Sequence, residues 1–210
     1  MDKERKDKLK RIEKDFIKKF KSIAKTYNYK SISNSLYKRV GGYFLHTVFF
    51  SSYGDNGLSF KVWNYIKSYE SDNLFWTIFE MEENINEKDS LRANGAYTMP
   101  SFKIGEYSKE LDELTNLDEL SHIFLKQISS ENSHFIESVC KNTEIFNRNL
   151  LEQKGYLREE LIKMIAHVEL HNFKDAQQMA MKEIGKGNRG GFCNGDKDIY
   201  QYILEYCEKQ

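Results

Sequence analysis

Residues 43–65 read YFLHTVFFSSYGDNGLSFKVWNY. Two alternating, aromatic-rich runs flank Gly54-Asp55-Asn56-Gly57, whose residues suit a tight hairpin turn. The stretch predicts two antiparallel strands, Tyr43–Tyr53 and Leu58–Tyr69. On the second, Leu58, Phe60, Val62 and Ile66 share one face and read as core. Lys61, Trp63, Tyr65 and Lys67 share the other, a mixture of cations and aromatics that suits a solvent-facing or partner-facing surface. The first strand is apolar on both faces, which predicts a central strand covered on both sides, with His46 as a satisfied core histidine.

Working outward, Leu36–Val40 reads as a short strand turning at Gly41-Gly42. Asn73–Met81 (NLFWTIFEM) reads as a further strand, and Ala96–Tyr107 as another around Pro100. Short connections between successive strands imply a meander. Residues 3–27 precede it as an amphipathic helix, with Leu9, Ile12, Phe16, Phe20, Ile23 and Tyr27 at steps of three and four. Beyond residue 110 leucines at 111, 114, 117 and 120 open a helix that SSENS (129–133) should break. Helices follow at Thr143–Lys154, Leu157–His171, Phe173–Ile184 and Asp196–Cys207. The expected fold is α+β: a four- to five-stranded antiparallel meander packed by an N-terminal helix, then a C-terminal helical bundle. The expected organisation is a sheet domain at 1–130 and a helical region at 131–210, packed as one unit.

Of 210 residues, 30% are charged and the formal net charge is zero, the composition of a globular protein. The charge is unevenly spread. Residues 1–30 hold twelve Lys/Arg against five Asp/Glu, and residues 70–120 hold four against thirteen. A uniform basic field for wrapping nucleic acid is absent. Three widely spaced cysteines without a CxxC argue against a disulfide framework or zinc ribbon. The lysine-rich start has no apolar signal-peptide core, and no run is long enough to span a bilayer. These features predict a reduced, cytoplasmic protein.

Four stretches could carry chemistry. His167 and His171 lie four apart on a predicted helix, with Glu160 in the same column, a spacing that can place ligands on one metal. HVELH lacks the HExxH order, so no metalloprotease base is placed, and histidines flanking an apolar stripe read first as structural. Lys186 and Arg189 sit in GKGNRGG, whose flexible backbone could cradle a phosphate, but the stretch is not GxxxxGK(S/T) and no strand precedes it; a helix–helix loop is preferred. Cys193 follows two glycines and reads as an ordinary thiol. The acidic stretch 106–119, which includes Asp112 and Glu113, reads first as the wet face of a helix, and secondly as a surface for a basic partner groove.

Residues 9–128 also carry a family resemblance. An amphipathic helix leads to Tyr29-Lys30 and Tyr37-Lys38, then to a strand ending in Phe49-Phe50-Ser51-Ser52. This pattern resembles a bacterial family known as domain of unknown function 4304. Tyr29 stands where that family more often has phenylalanine, and the helical C-terminal third has no counterpart. The resemblance implies an α+β fold and carries over no activity and no site residues.

The expected function is a non-enzymatic, cytoplasmic, bacterial protein-binding module of the immunity or antitoxin kind, needing no cofactor. Its partner would be another protein, such as a toxin, met at Lys61, Trp63, Tyr65, Asp112 and Glu113. The alternatives are an enzyme built on His167/His171 or the 185–195 loop, and nucleic-acid binding through the first helix.

Overall fold

The structure, a computed structural model, describes residues 3–54, 57–94 and 97–210. It is α+β. Helix α1 (Lys3–Ala24) leads to β1 (Lys30–Ile32), β2 (Ser35–Val40), β3 (Tyr43–Gly54) and β4 (Gly57–Ser68). Helices α2 (Tyr69–Ile78) and α3 (Ser90–Asn94) intervene before β5 (Phe102–Leu111). The chain closes with α4 (Leu117–Val139), α5 (Thr143–Glu152), α6 (Glu159–Glu169), α7 (Phe173–Gly185), a short hairpin of β6 (Cys193–Asn194) and β7 (Lys197–Asp198), and α8 (Ile199–Glu208). The five-stranded antiparallel sheet has the order β1-β2-β3-β4-β5. Its first pair sets Lys30 opposite Tyr37 and Ile32 opposite Ser35. The predicted turn residues Asp55 and Asn56, and Ala96 at the start of a predicted strand, lie outside the described residues.

Two compact units share the chain. The first comprises Met1–Val40, Leu45–Ile66 and Lys103–Phe135. Its core is aromatic. Phe16 and Phe20 of α1 meet Phe60 at 4.5 and 5.8 Å between ring centres, and Phe124 of α4 stands 5.8 Å from Phe60. Both helices therefore cover the same sheet face. Edge-to-face rings at these separations contribute about 0.5–1.5 kcal/mol beyond their buried area. A polar network lies in the same unit. Asn64 of β4 donates to Glu131 Oε2 (3.0 Å) and Asn132 Oδ1 (2.9 Å), while Asn132 Nδ2 donates to the Tyr29 hydroxyl (2.8 Å).

The second unit comprises Gly41–Phe44, Lys67–Phe102 and Ile136–Gln210. Its core is lined by α2, α6, α7 and α8, with Phe75, Phe79, Ile165, Ala180 and Ile203 fully buried. Ala176 and Ala180 are both sealed on α7, where small side chains permit close helix approach.

Three predicted elements differ. Asn73–Met81 is not a strand: α2 runs through it to Ile78, because Ser68 caps the helix by accepting from Ser71 N at 2.8 Å, and Glu70 and Asp72 complement its N-terminal dipole. SSENS does not break α4. Asn132, which resembles a new cap, is buried in the polar network, and the helix runs on beneath it. The leucine repeat from 111 straddles a strand end, a turn and a helix start. Asp112 Oδ1 accepts from Leu114 N (3.0 Å) and Thr115 Oγ1 (2.7 Å), closing a side-chain turn that leaves Leu114 93% exposed.

Candidate functional site

The period of two along β3 and β4 sorts their side chains. Leu45, Thr47 and Phe49 of β3, and Leu58, Phe60, Val62 and Asn64 of β4, are buried. His46, Val48 and Phe50, with Lys61, Trp63 and Tyr65, face the other way and are half-exposed. The double coverage expected for β3 is only partial: beyond Phe44 its even face, His46, Val48 and Phe50, is half-buried. Across the hairpin Trp63 stands edge-on to Phe50, ring centres 4.6 Å apart, and Tyr65 stands 5.0 Å from the His46 ring.

Strand β5 adds charge beside these rings. The Lys103 ammonium lies 5.5 Å from the centre of the Trp63 ring and pairs with Glu106 at 2.9 Å. That hydrogen bond from Lys103 holds the Glu106 carboxyl below its ordinary range. Burial raises the Tyr65 phenol, and the Glu106 charge adds to the effect. The surface therefore combines rigid aromatic area with two cations, Lys61 and Lys103. Such a surface can dock a partner by apolar contact and steer it by charge.

Asp112 and Glu113 do not join it. Asp112 is engaged in its own turn, and Glu113 pairs with Lys8 of α1 at 3.5 Å. Asp118 pairs with Lys19 at 3.0 Å. The acidic stretch thus meets lysines of the first helix, within the same unit.

The predicted histidine pair falls apart at its second member. Helix α6 ends at Glu169, and His171 lies beyond it with φ +58°, its ring 5.7 Å from Phe173. His167 is half-buried, with Nδ1 3.9 Å from an Asp175 oxygen; burial lowers its pKa, and Asp175 partly offsets this. Glu160 is exposed in the first turn of α6. Among the described residues no three His, Cys, Asp or Glu side chains gather as a metal site. In the glycine loop Lys186 pairs with Glu183, and Arg189 lies 3.9 Å from Asp198. Asp198 caps α8 through a reciprocal bond with Gln201.

Sequence reasoning missed a buried ionic cluster in the second unit. Lys67 Nζ bonds Asp72 Oδ1 (3.0 Å) and the Met99 carbonyl (3.1 Å), and also meets Thr98 Oγ1. Arg92 Nη1 bonds the other Asp72 oxygen at 2.7 Å, and its guanidinium stacks between Tyr69 and Trp76 at 4.5 and 4.6 Å. Asp72 also accepts from Met99 N at 3.0 Å. The partners come from four places in the chain, so no spacing announces them. Each ion is held by several bonds, the arrangement of a structural knot. Compared with protein families, curated proteins and solved structures, the chain matches none.

Proposed function

We propose that this protein is a non-enzymatic binding module that holds an acidic protein partner on the outer sheet face, in the manner of a cytoplasmic immunity or antitoxin factor. The carrying observation is the half-buried row of Phe50, Trp63, His46 and Tyr65, flanked by Lys61 and by the Lys103–Glu106 pair. Tryptophan and tyrosine are the residues that most often dominate binding energy at protein interfaces. The charge of the host unit fits an acidic partner: its three segments hold eighteen Lys/Arg against thirteen Asp/Glu. A toxin-neutralising factor acts by occupying a surface, so it needs an interface rather than a reaction centre.

The test begins with capture of a partner from the native host and continues with the purified pair. Trp76 is 1% exposed, so a change in tryptophan emission on binding reports Trp63. Trp63→Ala should weaken the complex by about tenfold or more. Lys61→Glu should slow association and reduce its salt dependence. A control at Lys174, on exposed α7 surface, should do neither. A complex indifferent to both face variants, or a basic partner, overturns the reading.

A further inference from the structure

A second surface lies on α1, within the first unit. Ten Lys/Arg and four Asp/Glu fall in the 22 residues of this helix. Its apolar side is spent in the core, where Leu9, Phe16, Phe20 and Ala24 are buried. The cations take the rest of the circumference. At about 3.6 residues per turn, Lys10, Arg11, Lys14 and Lys18 fall on the arc turned away from Phe16 and Phe20. Lys25, one residue past the helix end, continues the row. All five are exposed.

The acids of the same unit neutralise only the flanks. Glu113 takes Lys8 at 3.5 Å, and Asp118 takes Lys19 at 3.0 Å. Glu13 accepts from the Tyr53 hydroxyl. Among the described residues, no carboxylate stands within ion-pair distance of the five outward cations. Asp15 is the only exposed acid between residues 10 and 25. Lys10, Lys14 and Lys18 follow at steps of four, a spacing at which like charges destabilise a helix. The fold carries that repulsion with no pairing in return. An anionic partner relieves it.

The chemistry of the row selects that partner. A protein interface draws its energy from buried aromatic or aliphatic anchors. A membrane-surface helix needs an apolar face free to sink into lipid. Helix α1 offers neither. None of its large apolar side chains is exposed, and its apolar face is sealed against Phe49, Phe60 and Phe124. Single strands are held by bases stacked on aromatic rings, and duplex RNA through its 2′-hydroxyls. The row has no ring for the first and is cationic throughout. What it offers is bare positive charge in a line, the means by which proteins hold DNA phosphates without reading bases. From Lys10 to Lys25 the chain advances about 22 Å. Along that length a DNA duplex presents about a dozen phosphate charges.

We propose that α1 binds the phosphate backbone of duplex DNA, independently of sequence, through Lys10, Arg11, Lys14, Lys18 and Lys25. The helix covers the sheet face that carries Phe60, and Trp63 lies on the other. This surface is therefore separate from the aromatic row, and neither reading depends on the other.

The test is fluorescence anisotropy of a labelled DNA duplex titrated with the full chain between about 50 and 200 mM NaCl. Binding should saturate at the low end. The log–log salt slope should lie between about −3 and −5, near −0.9 for each phosphate neutralised. Two unrelated sequences should bind within about threefold of each other. Lys14→Glu/Lys18→Glu should weaken binding by about tenfold or more and flatten the slope by about two. Both side chains are exposed, so this variant should melt with the wild type. Lys10→Gln/Lys25→Gln carries the same test should it fold poorly. Lys61→Glu, on the outer sheet face, should change affinity by less than about threefold, because salt screens distant charges. Poly-glutamate at equal charge should displace the duplex poorly, and an RNA duplex should bind no tighter than DNA. The proposal is overturned by an absence of saturable binding, by a salt slope shallower than about −1, or by binding that survives the double variant. An equal loss from Lys61→Glu, a marked sequence preference, or stronger binding of poly-glutamate or duplex RNA overturns it too.

Discussion

The Lys67 ammonium lies 3.0 Å from the Asp72 carboxylate, with the two side chains 1% and 0% exposed. Arg92 takes the second oxygen of the same carboxylate at 2.7 Å. Two cations thus share one anion inside the second unit, and burial pushes the Lys67 pKa down. Such a cluster gains little over a well-packed apolar one, yet losing one member strands the rest.

Asp72→Ala should therefore cost about 3–5 kcal/mol, because it strands both cations. Urea unfolding followed by circular dichroism measures it. Lys67→Met should cost less, since Asp72 keeps Arg92. A loss below about 1 kcal/mol for Asp72→Ala would show that water or another group already compensates the cations.

Gly105 sits on β5 where a Cβ would stand 2.0 Å from Glu131 Oε2. That oxygen accepts from Asn64 Nδ2 (3.0 Å) and from the Tyr107 hydroxyl (2.5 Å), so it cannot retreat without breaking both bonds. Gly105→Ala should destabilise by about 1–3 kcal/mol. Adding Glu131→Ala should recover less than the clash costs, since Asn64 then loses an acceptor. Additive effects in this double-mutant cycle would refute the contact.

Burial raises the Glu169 carboxyl above its ordinary value of 4.5, while hydrogen bonds from Asn147 and Ser71 oppose the shift and the charge of Glu70 adds to it. The folded state therefore holds this proton more tightly than the unfolded chain. Its stabilising share is full below the unfolded pKa and is lost as pH rises through the folded one. Glu169→Gln should show no such loss. The melting-temperature difference, wild type minus variant, should fall as pH climbs from the ordinary carboxylate range; a rising difference would contradict the shift.

Burial pushes the Cys140 thiol up to about 12 and the Cys207 thiol up to about 11. Cys193 is half-exposed on β6. A thiol-specific chromogenic reagent at neutral pH should label one cysteine promptly and the other two only on unfolding. Cys193→Ser should abolish the prompt phase. Three prompt equivalents in wild type would show that the second unit opens readily.

The helix stripe through Leu9, Phe16 and Phe20 and the alternation of β4 as far as Ile66 were legible because local periodicity controls them. The face bearing Trp63 and Tyr65 was legible for the same reason. Lys67, which the same alternation placed on the outer face, is 1% exposed because Asp72 draws it inside. Helix α2 was not: NLFWTIFEM is apolar enough for either period, and the cap at Ser68 with Glu70 and Asp72 was the signal to weigh. Asn132 misled because a cap residue and a buried amide look alike until Tyr29 and Asn64 arrive from elsewhere. A cleft walled by α2, α5 and the end of α6 was invisible in principle. Glu70, Asn147 and Glu169 come from three distant stretches, and only packing brings them together.

The alternation of chain segments between the two units bears on synthesis. Residues 41–44 leave the ribosome early, yet belong with 136–210. At about 5–20 residues per second, some ninety intervening residues take roughly 5–20 s to emerge. For that interval Tyr43 and Phe44, later buried, have no completed unit around them. The first unit needs only the stretch ending at Phe135, so it can close while the second still lacks most of its helices. Translation thus imposes an order of assembly, and nascent chains halted between these points are the ones a holding chaperone should capture most strongly.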